Sequence, residues 1–179
     1  MGLNHLNLPR FAALSALLML SAAAANSDAR ATMNSNIASQ AAANAQEFIG
    51  TPYKYGGANP GGFDCSGLIQ FSYKEAGLAL PRKTSDLKQI SSPIQKTQLQ
   101  KGDLVFFNQQ GKSASHVGLY LGQSQFIHAP STGGIVRTDN INSKYWQKHF
   151  SGARRLNRLA STQKNKFRQP ASFAPRQRK

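Results

Sequence analysis

Cys65 is the single cysteine of the 179-residue chain, and it begins an apolar run in the segment FDCSGLIQ. A cysteine attacks a carbonyl carbon as its thiolate, and the amides and partial positive charge of a helix N-terminus favour that anion. Helical spacing of the apolar residues predicts a helix over 65–76, with Asp64 as its N-cap and Gly77 just beyond its end. The sequence therefore places a candidate nucleophile at a helix N-terminus, where backbone amides are also available to hold an oxyanion.

Two histidines are candidates for the base that this nucleophile needs. His116 opens the segment HVGLYLG, and His128 ends the segment QFIH 12 residues later. Both segments are predicted strands, and a turn at 122–124 would join them into a hairpin that places the imidazoles opposite or diagonal to each other. His128 would then orient His116, as the third group of a nucleophile–base triad does. His149, in the charged segment YWQKHF, is expected at the surface.

The same three residues are also conceivable zinc ligands. Zinc ligands usually come in pairs separated by about two to five residues. Cys65 is far from both histidines along the chain, and His116 and His128 are themselves 12 residues apart. The spacing therefore favours a triad assembled by the fold over a metal site. The loop GGANPGG lacks the lysine of a Walker motif, so no nucleotide site is predicted.

The elements that must position these residues follow a definite order. A helix is predicted over 35–49, and the glycine- and proline-rich loop 51–63 then lets backbone approach a ligand closely. After the helix that begins at Cys65, the connection contains a short helix over 85–90. Strands are predicted at 104–107, 116–122, 125–129, 134–138 and 150–156. Helices that precede strands favour an α+β domain with an antiparallel sheet over a doubly wound one.

The two ends of the chain differ from this domain, for which we expect residues 38–156. Residues 1–25 run from a charged start through an apolar stretch to small residues, which is typical of a secretory signal cleaved after Ala25. Residues 26–37 are predicted as a linker, and residues 157–179, which are basic and contain no acid, as a disordered tail. We therefore expect export to the periplasm, the cell envelope or the medium.

Export changes the interpretation of both the cysteine and the charge. An unpaired cysteine in an exported chain indicates either intermolecular pairing or a reactive thiol. The alternative is a buried cysteine that only packs in the core as a small apolar residue. The net charge is +15, from 22 basic and 7 acidic residues. Outside the cytoplasm this charge favours a polyanionic cell-wall or envelope polymer as partner over nucleic acid. The basic tail is expected either to bind such a polymer or to be merely solvated.

Five segments together resemble the NlpC-type family of papain-like cell-wall cysteine peptidases. They are GTPYKYGGANPGGFDCSGLIQFSY, LPRKTSDL, KGDLVFF, SHVGLYLGQSQFIHAP and YWQKHFSGARRL. The resemblance covers roughly residues 40–156 and implies a papain-like α+β fold with N-terminal helices packed on an antiparallel sheet. It implies hydrolysis of peptide bonds in peptidoglycan stem peptides or cross-links, without a metal or an organic cofactor. It identifies Cys65 as the nucleophile, His116 as the general base and His128 as the residue that orients the base.

The resemblance also implies roles for three neighbouring residues. Tyr53 would face the active site and bind substrate or support the oxyanion, and Asp64 and Ser66 would contact the stem peptide or build the site. A packing role for Tyr53 and a simple capping role for Asp64 remain open. Relatives that this chain resembles are lipid-anchored, but no lipobox cysteine follows residues 1–25, so we expect no lipid anchor.

The resemblance identifies the catalytic residues but leaves more than one reaction possible. An amidase, an acyltransferase or a toxin aimed at competitors' walls would use the same Cys65, His116 and His128. A wall-binding module without activity is the third alternative, and the presence of all three residues argues against it.

Overall fold

The structure is a computed structural model and describes residues 11–109, 111–132 and 134–156. The chain divides into two compact units, Met1–Met33 and Asn34–Lys179. Helix α1 (Phe11–Gln46) begins in the first unit and ends in the second. Among the described residues, no helix combines the length and apolarity needed to span a bilayer. The predicted tail at 157–179 lies outside the described residues.

Helix α1 is longer than the helix predicted over 35–49. It begins at Phe11 and includes residues 26–37, for which the sequence analysis predicts a linker. No glycine or proline occurs between Pro9 and Gly50, and the many alanines of this stretch have the highest helix propensity. The helix therefore continues to Gln46, and Gly50, with φ of +90°, follows the closing turn. Cleavage of residues 1–25 concerns processing and stays a prediction.

The other elements follow in the order that the sequence predicts, with some additions. The helices are α2 (Cys65–Glu75), α3 (Thr84–Ile90) and α4 (Lys144–His149), and a 3-10 turn spans Lys96–Gln98. The strands are β1 (Ala58–Asn59), β2 (Gly62–Phe63), β3 (Ser91–Ile94), β4 (Leu104–Gln109), β5 (Lys112–Gly122), β6 (Gln125–His128), β7 (Arg137–Asn140) and β8 (Phe150–Leu156). The additions are β1, β2, β3, α4 and the 3-10 turn, all of them short.

Strands β3 to β8 form one antiparallel sheet in the order β3-β8-β4-β5-β6-β7, and β1 pairs with β2 separately. This architecture confirms the predicted α+β class. The predicted hairpin is β5–β6, and its two turn residues, Gln123 and Ser124, have φ of 51° and 61°. Two consecutive positive φ values are the geometry of a type I′ turn, which matches the twist of paired strands.

The sheet is covered by apolar side chains on both faces. The C-terminal part of α1, together with α2 and α3, packs on the face that carries Leu104, Phe106, Val117, Leu119 and Ile127. The other face carries Val105, Phe107 and Phe126, and Trp146 of α4 packs against it. Because side chains alternate along a strand, His116 and His128 lie on the face of α4, while α2 lies on the opposite face.

Candidate active site

Asp64 caps α2 as predicted, so that Cys65 is the first residue of that helix. The Asp64 backbone is extended, and its Oδ1 accepts a 2.8 Å hydrogen bond from the amide of Gly67. Its Oδ2 accepts from the amide of Gly56 at 3.0 Å and pairs with the guanidinium of Arg82. One carboxylate thus fixes the start of α2, the preceding loop and an arginine.

The loop before α2 approaches the helix so closely that only glycine fits at one position. A Cβ on Gly67 would lie 1.9 Å from the carbonyl oxygen of Gly57, far inside van der Waals contact. The amide of Asp64 in turn donates to the same carbonyl at 3.0 Å. The loop predicted from its glycines and prolines therefore folds directly over the first turn of α2.

The thiol of Cys65 is largely buried between α2, α3 and β5. Its Sγ lies 4.0 Å from Oγ1 of Thr84, and it also receives hydrogen bonds from the backbone of Val117 and Ser66. Burial raises the pKa of the Cys65 thiol, and these three hydrogen bonds only partly oppose that rise. The start of α2 thus supplies a hydrogen bond that favours the thiolate, as the sequence indicates, but burial outweighs it.

The hairpin brings the two candidate histidines together. Nε2 of His116 and Nδ1 of His128 are 2.8 Å apart, and the side chains are 4% and 0% exposed. Burial, reinforced by the repulsion that a protonated His128 would exert, lowers the pKa of His116 to about 3. Burial also lowers the pKa of His128, although Asp139 opposes the shift. Both rings are therefore neutral near pH 7.

The thiol of Cys65 contacts the stretch of β5 that includes His116. The backbone of Val117, the residue after His116, hydrogen-bonds to the Cys65 thiol. Within the part of the chain that the structure describes, no hydrogen bond joins that thiol to either imidazole. The structure thus joins the two histidines directly and places the thiol beside the backbone that carries one of them. Their catalytic roles stay predictions.

Asp139 extends the pair of histidines, although the sequence did not single it out. Its Oδ2 lies 3.0 Å from Nε2 of His128 and 2.9 Å from Nε1 of Trp146. Burial alone would raise the pKa of Asp139, but hydrogen bonds from His128, Arg137 and Trp146 outweigh it and lower the pKa to about 2. Arg137 pairs with His128, so Asp139 lies diagonal to it, and no local pattern in the sequence indicates this register.

The three residues predicted to bind substrate all lie near Cys65. The hydroxyl of Tyr53 has a raised pKa, chiefly from burial and then from the negative charges of Cys65 and Asp64. Ser66 is buried, and its Oγ donates to Asp64 Oδ1 at 3.3 Å and accepts from Arg82 Nη1 at 2.8 Å. Arg82 is thus a further site residue. Its motif LPRKTSDL was recognised in the sequence without a role for the arginine.

His149 is separate from this site, and the zinc alternative concerns the site itself. His149 ends α4, where its Nδ1 contacts the carbonyl oxygen of Tyr145 at 2.7 Å, so it does not join the paired histidines. No group of three potential metal ligands occurs in the ranges that the structure covers, which gives the zinc alternative no support there.

The profile of the NlpC/P60 family matches residues 50–155, which include the candidate site. Murein DD-endopeptidase MepH of Escherichia coli K12 is 42% identical over 113 residues, which cover 60% of this chain and 42% of MepH. Murein DD-endopeptidase MepS/Murein LD-carboxypeptidase of the same strain is 37% identical over 111 residues, which cover 62% of this chain and 58% of that protein. The chain thus spans about half the length of these relatives.

A solved structure shows the same architecture. The crystal structure of an NLP/P60 family protein from Staphylococcus aureus, described as similar to a lipoprotein, superposes with a TM-score of 0.60 at 39% identity. The alignment covers 67% of this chain and 41% of the Staphylococcus aureus protein.

Proposed function

Since the chain belongs to the NlpC/P60 family, we propose that it is a cysteine endopeptidase that hydrolyses peptide bonds in peptidoglycan stem peptides or cross-links. The observation that carries the proposal is the 2.8 Å contact between His116 and His128, beside the β5 backbone that hydrogen-bonds to the Cys65 thiol. The names of MepH and MepS, both murein DD-endopeptidases, support the substrate class.

In the proposed reaction the resting site holds a neutral thiol and a neutral imidazole. His116 accepts the proton of Cys65 as the sulfur attacks the peptide carbonyl carbon, and the carbonyl oxygen becomes an oxyanion. Backbone amides at the N-terminus of α2 stabilise that oxyanion. His116 then passes the proton to the leaving amine, and the C–N bond breaks to leave a thioester. Water hydrolyses the thioester and restores the thiol.

Substrate is proposed to bind over the first turn of α2. Tyr53, Asp64 and Ser66 surround Cys65 there, and Arg82 adds a cation to the same cluster. Stem peptides carry carboxylates, which a guanidinium recognises through charge-assisted hydrogen bonds. Because Asp64 neutralises part of this charge, we propose that the site selects a polar peptide by hydrogen bonding more than by net charge.

Mass spectrometry of muropeptides before and after digestion tests the proposed reaction. Purified sacculi incubated with the protein should lose cross-linked peptides, and Cys65→Ala and His116→Gln should abolish the loss. His149→Gln is the matched control, because that histidine lies outside the site, and it should retain activity. Loss of cross-links by the Cys65→Ala variant would contradict the cysteine mechanism.

The same assay separates the alternatives. Release of single terminal amino acids with intact cross-links would indicate a carboxypeptidase, the second activity in the name of MepS. Release of whole peptides from the glycan would indicate an amidase, and new cross-links would indicate an acyltransferase. Lysis of other bacteria alone would indicate a toxin.

Export and wall retention are proposed from the ends of the sequence. We propose that residues 1–25 direct export and that residues 157–179 hold the protein at a polyanionic wall. Removing residues 157–179 should then weaken binding to isolated walls. Raising the salt concentration should weaken binding of the full chain by the same amount, because salt screens the charges of the tail. Equal binding by both chains at low salt would contradict the retention role.

A further inference from the structure

Three different side chains contact the carboxylate of Asp139. Nε2 of His128 and Nε1 of Trp146 contact its Oδ2 at 3.0 and 2.9 Å. The guanidinium of Arg137 contacts both carboxylate oxygens at 3.3 to 3.4 Å. Strands β6 and β7 and helix α4 therefore all contribute a contact to one carboxylate. The side chains of Arg137 and Trp146 can only donate, and because the pKa of Asp139 is lowered to about 2, the carboxyl is ionised near neutral pH.

The ionised carboxylate determines where the protons of the imidazoles lie. Asp139 can only accept, so Nε2 of His128 carries the hydrogen of their 3.0 Å contact. In a neutral ring the other nitrogen then has a lone pair, so Nδ1 of His128 accepts the hydrogen bond from Nε2 of His116. His116 therefore carries its own hydrogen on Nε2, and its Nδ1 is left with a free lone pair.

The free nitrogen of His116 remains accessible. Its Nδ1 has no hydrogen-bond partner among the described residues. In that part of the chain, only Oγ of Ser72 is a side-chain polar atom that is both fully buried and without a partner, so Nδ1 of His116 is not fully buried. Nδ1 therefore keeps some contact with solvent although the side chain as a whole is 4% exposed. A lone pair that is open to solvent and fixed in direction is what a general base requires.

We propose that Asp139 is a positioning residue that fixes the tautomers of His128 and His116 and so presents Nδ1 of His116 as the free base. The inference rests on the proposed function, since it concerns the base of the same site. Asp139 acts through His128, and no hydrogen bond joins it to the Cys65 thiol in the part of the chain that the structure describes. The charged and titratable groups that face His128 are His116 of β5 and Asp139 and Arg137 of β7.

Nitrogen-15 NMR of the histidine rings tests the tautomers without any substrate. In the full chain, His116 and His128 should each show a pyrrole-like Nε2 and a pyridine-like Nδ1 at neutral pH. Asp139→Asn should alter this pattern, because an amide offers one acceptor oxygen where three side chains donate and can itself donate to His128. If the variant fails to fold, the ring-nitrogen signals of the unaltered protein still test the predicted tautomers.

Asp103→Asn is the matched control, because Asp103 is also a shielded aspartate paired with an arginine, Arg155, but lies outside the site. It should leave both histidine tautomers unchanged. If the proposed hydrolysis occurs, Asp139→Asn should lower kcat with little change in KM, by about 10- to 100-fold, as loss of the carboxylate partner of a metal-bound histidine does. The control variant should keep its kcat.

The possible results separate the inference from the proposed function. A pyrrole-like Nδ1 on either ring of the unaltered protein, or identical ring signals in the Asp139→Asn variant, would overturn the inference and leave the hydrolase proposal standing. If Cys65→Ala digests sacculi like the unaltered protein, the cysteine mechanism fails. The predicted tautomers, lost on Asp139→Asn, would then still support the positioning role of Asp139 toward the histidines.

Discussion

Replacing Asp64 by alanine tests how the first turn of α2 is held. The carboxylate caps the helix through the Gly67 amide at 2.8 Å and pairs with Arg82, and the two side chains are 13% and 34% exposed. Loss of an N-cap costs about 1 kcal/mol, and a partly exposed ion pair contributes about 0.5 to 1 kcal/mol. The Gly56 amide is exposed and regains a water partner, so it adds little. We expect Asp64→Ala to lower the free energy of unfolding by about 2 kcal/mol.

Thermal denaturation followed by circular dichroism measures this loss. For a domain of this size, about 2 kcal/mol corresponds to a decrease in Tm of about 6 to 10 °C. Asp64→Asn is the matched control, because asparagine caps a helix as well as aspartate does but cannot form the ion pair with Arg82. It should therefore lose about 1 kcal/mol or less.

The comparison between the two variants shows whether the helix cap or the ion pair of Asp64 contributes more to stability. If alanine and asparagine lower Tm equally, the cap is not the main contribution of Asp64 to stability. If neither variant lowers Tm, the carboxylate of Asp64 serves substrate binding alone. Muropeptide digestion by Asp64→Asn then measures the binding role separately, since the helix start is preserved.

Three further predictions concern charge. The folded pKa of His116, about 3, lies below its ordinary value of 6.5, so the unfolded chain binds more protons between these values. Stability should therefore fall as pH drops below about 6.5, by up to about 1.4 kcal/mol per pH unit, and urea unfolding of His116→Gln should lack this component. Alkylation of Cys65 by iodoacetamide should reach half its maximal rate at a higher pH than for an ordinary cysteine, and a midpoint near neutrality would instead indicate a preformed ion pair. Arg82→Gln should move that midpoint higher still, because it leaves the charge of Asp64 uncompensated beside the thiol, whereas Lys83→Gln should leave it in place.

Sequence signals that act over a few residues predicted the framework of the site. Asp64 precedes a helical apolar pattern, and the structure begins α2 at the next residue. Alternation and a short connection predicted the hairpin, which pairs β5 with β6 and brings His116 to His128. Each of these predictions depends on backbone preferences that neighbouring residues decide, so a single sequence suffices.

Residues that join the site through tertiary packing were missed. Asp139 reaches His128 only because β7 pairs with β6 in one particular register, and Arg82 reaches Asp64 only because the connection after α2 returns past its N-terminus. The raised pKa of Cys65 was missed for a related reason. A helix terminus is visible in the sequence, but the burial that raises the pKa of Cys65 depends on the whole fold.

The position of β7 at the margin of the sheet makes the proposed base, His116, sensitive to local unfolding. Among the described strands of this sheet, β7 pairs with β6 alone, whereas β4 is paired on both sides. Peripheral strands open at a lower free energy than central ones, so amide hydrogens of Arg137–Asn140 should exchange with solvent sooner than those of β4. Each such opening detaches Asp139 from His128 while the hydrophobic core persists. The orientation of the base is therefore less stable than the domain that carries it, and heating would inactivate the site before it melts the fold.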